Sequence, residues 1–351
     1  MTRRAERRPD EPAGIGAAAS SRSGRSARRR RPGRPDIAAH AGLFGVPPAA
    51  ADELGVTFLG VATLLLDDGR TAVMTDGFFS RPSLLKVGLG RISPNHSRID
   101  AALTRLRLGP SPAGCRLAAV IPVHTHFDHV MDSAVVAQRT GAALVGSESA
   151  ANVGRGAGLA ADRIHVVSTS RPVTYGSFTL TFVASAHCPP DRFPGTITTP
   201  VVPPVRAAAY RCGEAWSVLV EHTSGRTALI QGSAGFVPGA LDGQRADVAY
   251  LGVGQLGVLD EEYVRAYWRH TVEAVGARRV MLIHWDDFFR SLDQPLRALP
   301  YLGDNLDVTI GILRQLAEAR GVALRMPTVW RREDPWTALP VARPTGTYAD
   351  R

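Results

Sequence analysis

The run His124-Thr125-His126-Phe127-Asp128-His129 puts three histidines and a carboxylate within six residues, directly after the apolar stretch Leu117 to Val123. Neutral imidazole is the commonest protein ligand for zinc, and one carboxylate completes many catalytic sites. His124 and His126 stand two apart, so at the end of a strand both side chains can leave on the same side. Asp128 and His129 fall past the turn, at the start of a helix expected to run to about Arg139, and from there they reach a neighbouring point where a second ion would sit. Two more donors end apolar strands in the same way: His187 after Phe178 to Ala186, and His284 after Arg279 to Ile283. His222 also ends a strand and stands as a rival, whereas His40, His96, His165 and His270 have weaker claims. Cys188, beside His187, is a lesser candidate ligand.

The elements that must position these donors follow from apolar runs and turn residues. Val56 to Leu66 reads as one strand, Asp67-Asp68-Gly69-Arg70 as a turn, and Thr71 to Thr75 as the returning strand. Ser97 to Leu106 reads as a helix with Ser97 as its N-cap. Short strands follow at Ala143 to Val145, Ile164 to Val167 and Phe178 to Ala184, and a pair at Val218 to His222 and Thr227 to Gln231. Val248 to Gly252, Glu262 to Val275, Arg279 to His284 and Asn305 to Glu318 then alternate strand and helix. Hairpins first and alternation later imply a layered α/β body with a two-sheet core. Two loops are placed to shape a pocket, Phe78 to Asn95 and the proline-rich Cys188 to Ala209.

With these residues in view, the chain resembles the metallo-β-lactamase-fold hydrolases over roughly residues 55–320, the H-x-H-x-D-H run being the specific feature. Phe58-Leu59-Gly60-Val61-Ala62-Thr63 and Thr75-Asp76-Gly77-Phe78-Phe79-Ser80 are similar to the lactonase and N-acyl-phosphatidylethanolamine phospholipase D-like branch. The resemblance implies a four-layer αββα sandwich with metals at one edge, between the sheets. It implies that His124, His126 and His187 hold a first zinc ion, and Asp128, His129 and His284 a second. Three departures stand out: Val61 where many of the branch have His, Gly77 where Pro is usual, and Ser233 where an Asp commonly bridges both metals. A neutral hydroxyl is a poor zinc ligand, so the centre gains one unit of positive charge and its second ion is held less tightly. One or two zinc ions per chain are expected, with iron and manganese as open alternatives.

The chemistry so implied is metal-assisted hydrolysis. Zinc lowers the pKa of water from roughly 15.7 to about 7, and Asp128 would orient the resulting hydroxide and pass a proton to the leaving group. Phe78, Phe79, Leu84, Leu85, Phe193, Trp285, Phe288 and Phe289 flank the proposed site and are candidates to line an apolar pocket. A small-molecule ester, lactone or amide is therefore favoured over a phosphodiester. A nuclease on the same fold, or a non-catalytic metal-binding protein with a degenerate second site at Ser233, are the competing readings.

Charge and composition set the frame. The net charge of +9 over 351 residues is misleading, because residues 1–35 carry 11 Arg and 3 acidic residues, a balance of +8 that leaves the remainder at +1. A near-neutral body argues against nucleic acid as partner, and an Arg-rich extension with few large apolar side chains is expected to stay disordered. The expected organisation is a disordered extension at 1–50, a hydrolase domain at 51–330 and a C-terminal tail at 331–351. No run of about 20 apolar residues suggests a membrane span, and Ile37 to Ala51 is too interrupted for a signal peptide, so a cytoplasmic location is expected. Cys115, Cys188 and Cys212 form no paired pattern.

Overall fold

The computed structural model describes residues 32–109, 115–169 and 171–341. Among them the apolar runs form fourteen strands in two sheets of seven. The first sheet takes β1 (Gly55–Phe58), β2 (Leu64–Asp67), β3 (Ala72–Thr75), β4 (Leu117–Ile121), β5 (Ala143–Gly146) and β6 (Ile164–Val166). The second takes β7 (Val173–Tyr175), β8 (Phe178–Ser185), β9 (Ala215–His222), β10 (Thr227–Gln231), β11 (Val248–Gly252), β12 (Arg279–Ile283) and β13 (Ala323–Arg325). Then β14 (Arg332–Glu333) returns to flank β1, giving the orders β14-β1-β2-β3-β4-β5-β6 and β13-β12-β11-β10-β9-β8-β7. Seven α-helices accompany them: α1 (Leu84–Leu89), α2 (His96–Arg105), α3 (Phe127–Val130), α4 (Ser133–Thr140), α5 (Glu148–Gly156), α6 (Glu261–Trp268) and α7 (Leu306–Arg320).

Alternation along the strands makes the layers. In the first sheet Leu64, Leu66, Val73, Ala119 and Ile121 face inward to meet Leu180, Phe182, Val218 and Ile230 of the second. Their neighbours Leu65, Met74, Val120 and Leu144 face outward against Ile99 and Leu103 of α2 and Val136 of α4. On the far side α6 and α7 add Val264, Tyr267, Ile310 and Leu313 to the core of the second sheet. A period of two on strands and helical spacing outside them therefore yields the expected four-layer αββα sandwich.

Strand direction decides what reaches the working edge. β3 to β6 run parallel, so β3 and β4 finish side by side with Thr75 opposite Ile121. In the second sheet β8 and β10 both pair antiparallel with β9, and β10, β11 and β12 are parallel. The ends of β8, β10, β11 and β12 consequently share one edge, and the end of β9 lies at the other.

Several expectations need correction. Val56 to Leu66 is two strands, because Leu59 to Thr63 closes a tight turn (Leu59 N–H to Thr63 O, 2.9 Å) with Val61 in the left-handed region at φ 53°. The second helix is capped by Asn95, whose side chain accepts the Arg98 amide at 3.1 Å, and not by Ser97. The helix expected to continue to Arg139 is broken into α3 and α4 around Asp132, whose carboxylate takes the amides of Phe79 and Ser80. The helix from Glu262 ends at Trp268 and passes into a π turn, Arg269–Glu273.

The folded body also reaches beyond 51 and 330. Leu43 and Val46 are buried, the Leu43 carbonyl accepts the Met326 amide, and β14 pairs with β1 through Val56 and Glu333. The Arg279 guanidinium donates to the carbonyls of Pro335, Thr337 and Ala338. Residues 1–31, which hold most of the Arg-rich extension, lie outside the described residues. No helix among the described residues is long and apolar enough to cross a membrane.

The edge away from the candidate ligands is fastened by a contact between hairpin tips. His222 at the end of β9 lies 3.1 Å from Asp68 in the β2–β3 turn, and Asp68 also accepts the amides of Arg70 and Thr71. Burial alone would raise the Asp68 carboxyl; the Thr71 and Arg70 amides and His222 outweigh it and bring it to about 2. A depressed folded pKa means stability that is present above the unfolded value and lost as pH falls toward the folded one. Urea midpoints of wild type and Asp68→Asn should therefore differ at about pH 5 and converge as pH falls toward about 2. A gap that does not change with pH would contradict this assignment.

Candidate metal centre

The H-x-H-x-D-H run begins where β4 ends, and the backbone around it is pinned from both sheets. The Val123 amide donates to Asp76 Oδ1 (2.9 Å) at the end of β3, and the Val123 carbonyl accepts the Trp216 amide (2.9 Å) of β9. Thr125, between the two histidines, donates its amide to the Cys212 carbonyl at 2.8 Å and its hydroxyl to the Arg211 carbonyl at 2.5 Å. The single turn α3 then carries Asp128 and His129 inward, both buried.

The six residues read from the sequence come together as two groups of three. His124, His126 and His187 form one, Asp128, His129 and His284 the other, with the ligand atoms of each within 4.8 Å of one another. The rings of His124 and His129 lie 3.8 Å apart between centroids, so the groups adjoin. The other five histidines are engaged elsewhere: His40 with Asp307, His165 with Tyr175, His222 with Asp68, His96 beside Arg139, and His270 stacked on Phe236. Cys188 belongs to neither group, and burial pushes its thiol up to about 12.

In the second group the proton positions are constrained. His129 Nδ1 sits 2.7 Å from Asp76 Oδ2, which turns Nε2 toward His284 Nε2 at 3.2 Å. Asp128 Oδ2 lies 3.7 Å from the first of these nitrogens and 3.6 Å from the second. A tetrahedral ion with bonds of about 2.0–2.1 Å holds its ligand atoms roughly 3.3–3.4 Å apart. The triangle of donors matches that spacing, so the three atoms are placed to hold a cation when His284 carries its proton on Nδ1. In the first group His187 Nδ1 is bound to the Cys188 carbonyl at 2.8 Å, freeing Nε2, while His124 Nε2 is buried without a hydrogen-bond partner. The donor set therefore fits metal ions in both groups.

Burial sets the charge state of the cluster. It holds His124 and His129 well below the usual imidazole range and brings His126 and His284 to about 4, with repulsion from neighbouring histidines adding to each of these effects. For His284, the Asp286 carboxylate opposes the burial. Asp128 is pushed up to about 7 by burial, against the pull of Arg81. Five neutral imidazoles are the protonation state in which nitrogen can bind metal.

Support for His284 comes from the β1–β2 turn and a fully buried ion pair. Its amide donates to the Val61 carbonyl at 2.6 Å, while the Val61 amide donates to Asp286, which is paired with Arg81 at 2.7 Å. Val61, Asp76 and His284 all adopt left-handed φ between 53° and 58°, a conformation that costs a side-chain-bearing residue energy and concentrates at functional sites. Gly77 has φ 79°, which proline cannot adopt, so the departure from proline goes with a different backbone path after Asp76. Gly254 leaves the His284 ring its place: a Cβ there would stand 2.8 Å from Nδ1.

Ser233 follows β10 and meets the chain just after His187. Its hydroxyl accepts the Cys188 amide at 3.0 Å, and its carbonyl accepts Gln231 Nε2 and the Tyr267 hydroxyl. The side chain thus anchors the residue that follows His187. The aromatic candidates divide by position. Phe193 packs on His126 (6.3 Å) and Phe288 on His284 (5.8 Å), and Phe78 joins them through Phe127. Phe79 belongs to the outer core, Trp285 to the main core, and Leu84 and Leu85 are exposed on α1.

Asp76, Asp191 and the Arg81–Asp286 pair were not assigned a role from sequence. Asp76 ends the strand beside β4, so the same strand-end rule that singled out the histidines would have found it. Asp191 lies in the proline-rich loop with nothing in its neighbourhood to mark it, yet its Oδ1 is 3.2 Å from His126 Nε2.

No family model matches the chain, and no curated protein matches it. Solved structures align with it at low similarity. A possible metal-dependent hydrolase from Veillonella parvula aligns at 14% identity and TM-score 0.49, covering 80% of this chain and 98% of that one. The metallo-β-lactamase fold protein YhfI from Bacillus subtilis gives 14% and 0.45, with 79% and 98% covered. CmlA, a diiron β-hydroxylase from Streptomyces venezuelae, gives 12% and 0.49, with 84% of this chain and 58% of that one covered. At such identities and TM-scores these likenesses say nothing about chemistry; the site geometry has to carry that.

The Ser233 contact has a measurable consequence. Ser233→Ala leaves the buried Cys188 amide without its acceptor, which should cost about 1–3 kcal/mol of unfolding free energy. Urea denaturation of chelator-treated protein tests this, and a change within about 0.3 kcal/mol would contradict it.

Proposed function

We propose that the protein is a metal-dependent hydrolase that acts on an ester, lactone or amide-type small molecule. His124, His126 and His187 would hold one ion and Asp128, His129 and His284 a second, zinc being the metal that this nitrogen-rich, tetrahedrally spaced set suits best. The observation that carries the reading is the triangle of His129 Nε2, His284 Nε2 and Asp128 Oδ2, with His129 oriented from behind by Asp76. Such carboxylate–histidine pairs fix the tautomer that leaves the metal-facing nitrogen unprotonated. A bound metal supplies a nucleophile at neutral pH and polarises the scissile carbonyl.

The chain's own residues do the rest. Asp128 faces the reacting centre from α3, orients the attacking water and carries a proton toward the leaving group. Phe193 and Phe288 border the two groups of donors, and Phe288 packs on an apolar cluster with Phe78, Phe127 and Val61 that suits an acyl or aromatic substituent. The guanidinium of Arg81 is already committed to Asp286 in a fully buried pair and is not offered to a phosphate. These features support the carboxylic substrate over a phosphodiester. The lactonase-like branch is the nearest reading of the sequence motifs, and a cytoplasmic location goes with it.

A panel of aryl esters, lactones and phosphodiesters tests the assignment. Turnover of a carboxylic substrate should be lost on chelation, restored by zinc, and lost in the double variant His124→Ala/His126→Ala. Activity retained by that variant, or confined to phosphodiesters, would overturn the reading. Ser233→Asp would supply the carboxylate that the resemblance implies at this position, and should tighten the second zinc step at least tenfold in a competitive chelator titration. Unchanged affinity would show that position 233 does not reach the metals.

A further inference from the structure

The loop after His187 closes a circuit around the middle of the H-x-H pair. Asp191 Oδ1 accepts the Phe193 amide at 3.0 Å, the Phe193 carbonyl accepts the Cys212 amide at 2.8 Å, and the Cys212 carbonyl accepts the Thr125 amide at 2.8 Å. The Phe193 ring lies against the His126 ring. The Asp191 carboxylate is therefore fixed by bonds that do not involve His126, and it still ends 3.2 Å from His126 Nε2. His126 is buried and its Nε2 makes no hydrogen bond of good geometry, while the Asp191 carboxylate, 3.2 Å away, and the Phe193 backbone both lie within reach of the ring. His126, Asp191 and Cys212 also bring their donor atoms within 4.8 Å of one another.

The arrangement has a counterpart across the site. Asp76 takes one nitrogen of His129 and leaves the other for the second group. Asp191 stands in the same relation to His126 of the first group, which otherwise consists of three neutral imidazoles with no negative charge. A carboxylate behind a ligating imidazole fixes the tautomer and raises the basicity of the opposite nitrogen, and its removal typically costs 10–100-fold in metal affinity.

We infer that Asp191 is the positioning residue of the first metal site: its carboxylate takes the Nε2–H of His126 and leaves Nδ1 as the coordinating nitrogen. The inference rests on the metal-hydrolase reading. It assigns to the proline-rich loop a function in metal retention, and it gives each group one carboxylate behind a ligating imidazole, Asp191 behind His126 and Asp76 behind His129.

The test uses the full-length protein loaded with zinc. Both steps of zinc affinity are measured by chelator competition for wild type, Asp191→Asn, Asp191→Ala and Asp191→Glu, with Asp76→Asn as a comparison for the second group. The His126 ring nitrogens are followed by two-dimensional 1H–15N NMR. The expected result is a 10–100-fold loss in one zinc step for the Asn and Ala variants, partial rescue by Glu, and a His126 spectrum with metal on Nδ1 and hydrogen on Nε2. Asp76→Asn should weaken the other step and leave His126 unmoved. Affinities within twofold of wild type in both Asp191 variants, or metal found on His126 Nε2, would overturn the inference while leaving the hydrolase reading intact. A wild-type protein that takes up no metal would overturn both.

Discussion

Five imidazoles, three buried and two half-buried, converging on one edge are the constraint around which this structure is organised. Burial disfavours their charged forms and leaves each ring neutral, the state in which its nitrogen can bind metal. The 3.2 Å approach of His129 Nε2 to His284 Nε2 matches the spacing of two ligands around one tetrahedral ion. The surrounding bonds all act to maintain that approach: Asp76 behind His129, the Val61 carbonyl on the His284 amide, and Ser233 on the amide following His187. Three side-chain-bearing residues with left-handed backbones, Val61, Asp76 and His284, show that local conformational preference gives way there to the demands of the site.

The sandwich makes this convergence possible by direction as much as by layering. Because β4 of one sheet and β8, β10 and β12 of the other all finish at the same edge, residues far apart in sequence arrive together. His129 and His284 are 155 positions apart in the chain. The antiparallel strand β9 ends at the opposite edge, where His222 joins Asp68 and ties the two sheets together instead of entering the centre.

That contrast marks the boundary of what the sequence discloses. His187, His222 and His284 carry the same local signature, an imidazole after an apolar strand, and only pairing direction separates the ligand candidates from the fastener. The H-x-H-x-D-H run was legible because its geometry is local: a strand end and one helical turn position every side chain. The break at Leu59 to Thr63 was hidden inside a continuous apolar run, since the left-handed turn falls on valine and not on a residue that announces a turn. Asn95 and Ser97 are equally good caps by composition, and the choice between them is made by where the preceding loop delivers the chain. Asp191 could not be read at all, because a long-range circuit through Phe193, Cys212 and Thr125 places it.

Occupancy by metal is the central claim, and elemental mass spectrometry of purified protein before and after incubation with zinc tests it most directly. The account predicts one tightly held ion per chain as isolated, rising to two when zinc is supplied, since the first and second groups each fit an ion and position 233 provides no bridging charge. Protein that holds no metal even after zinc addition would contradict it.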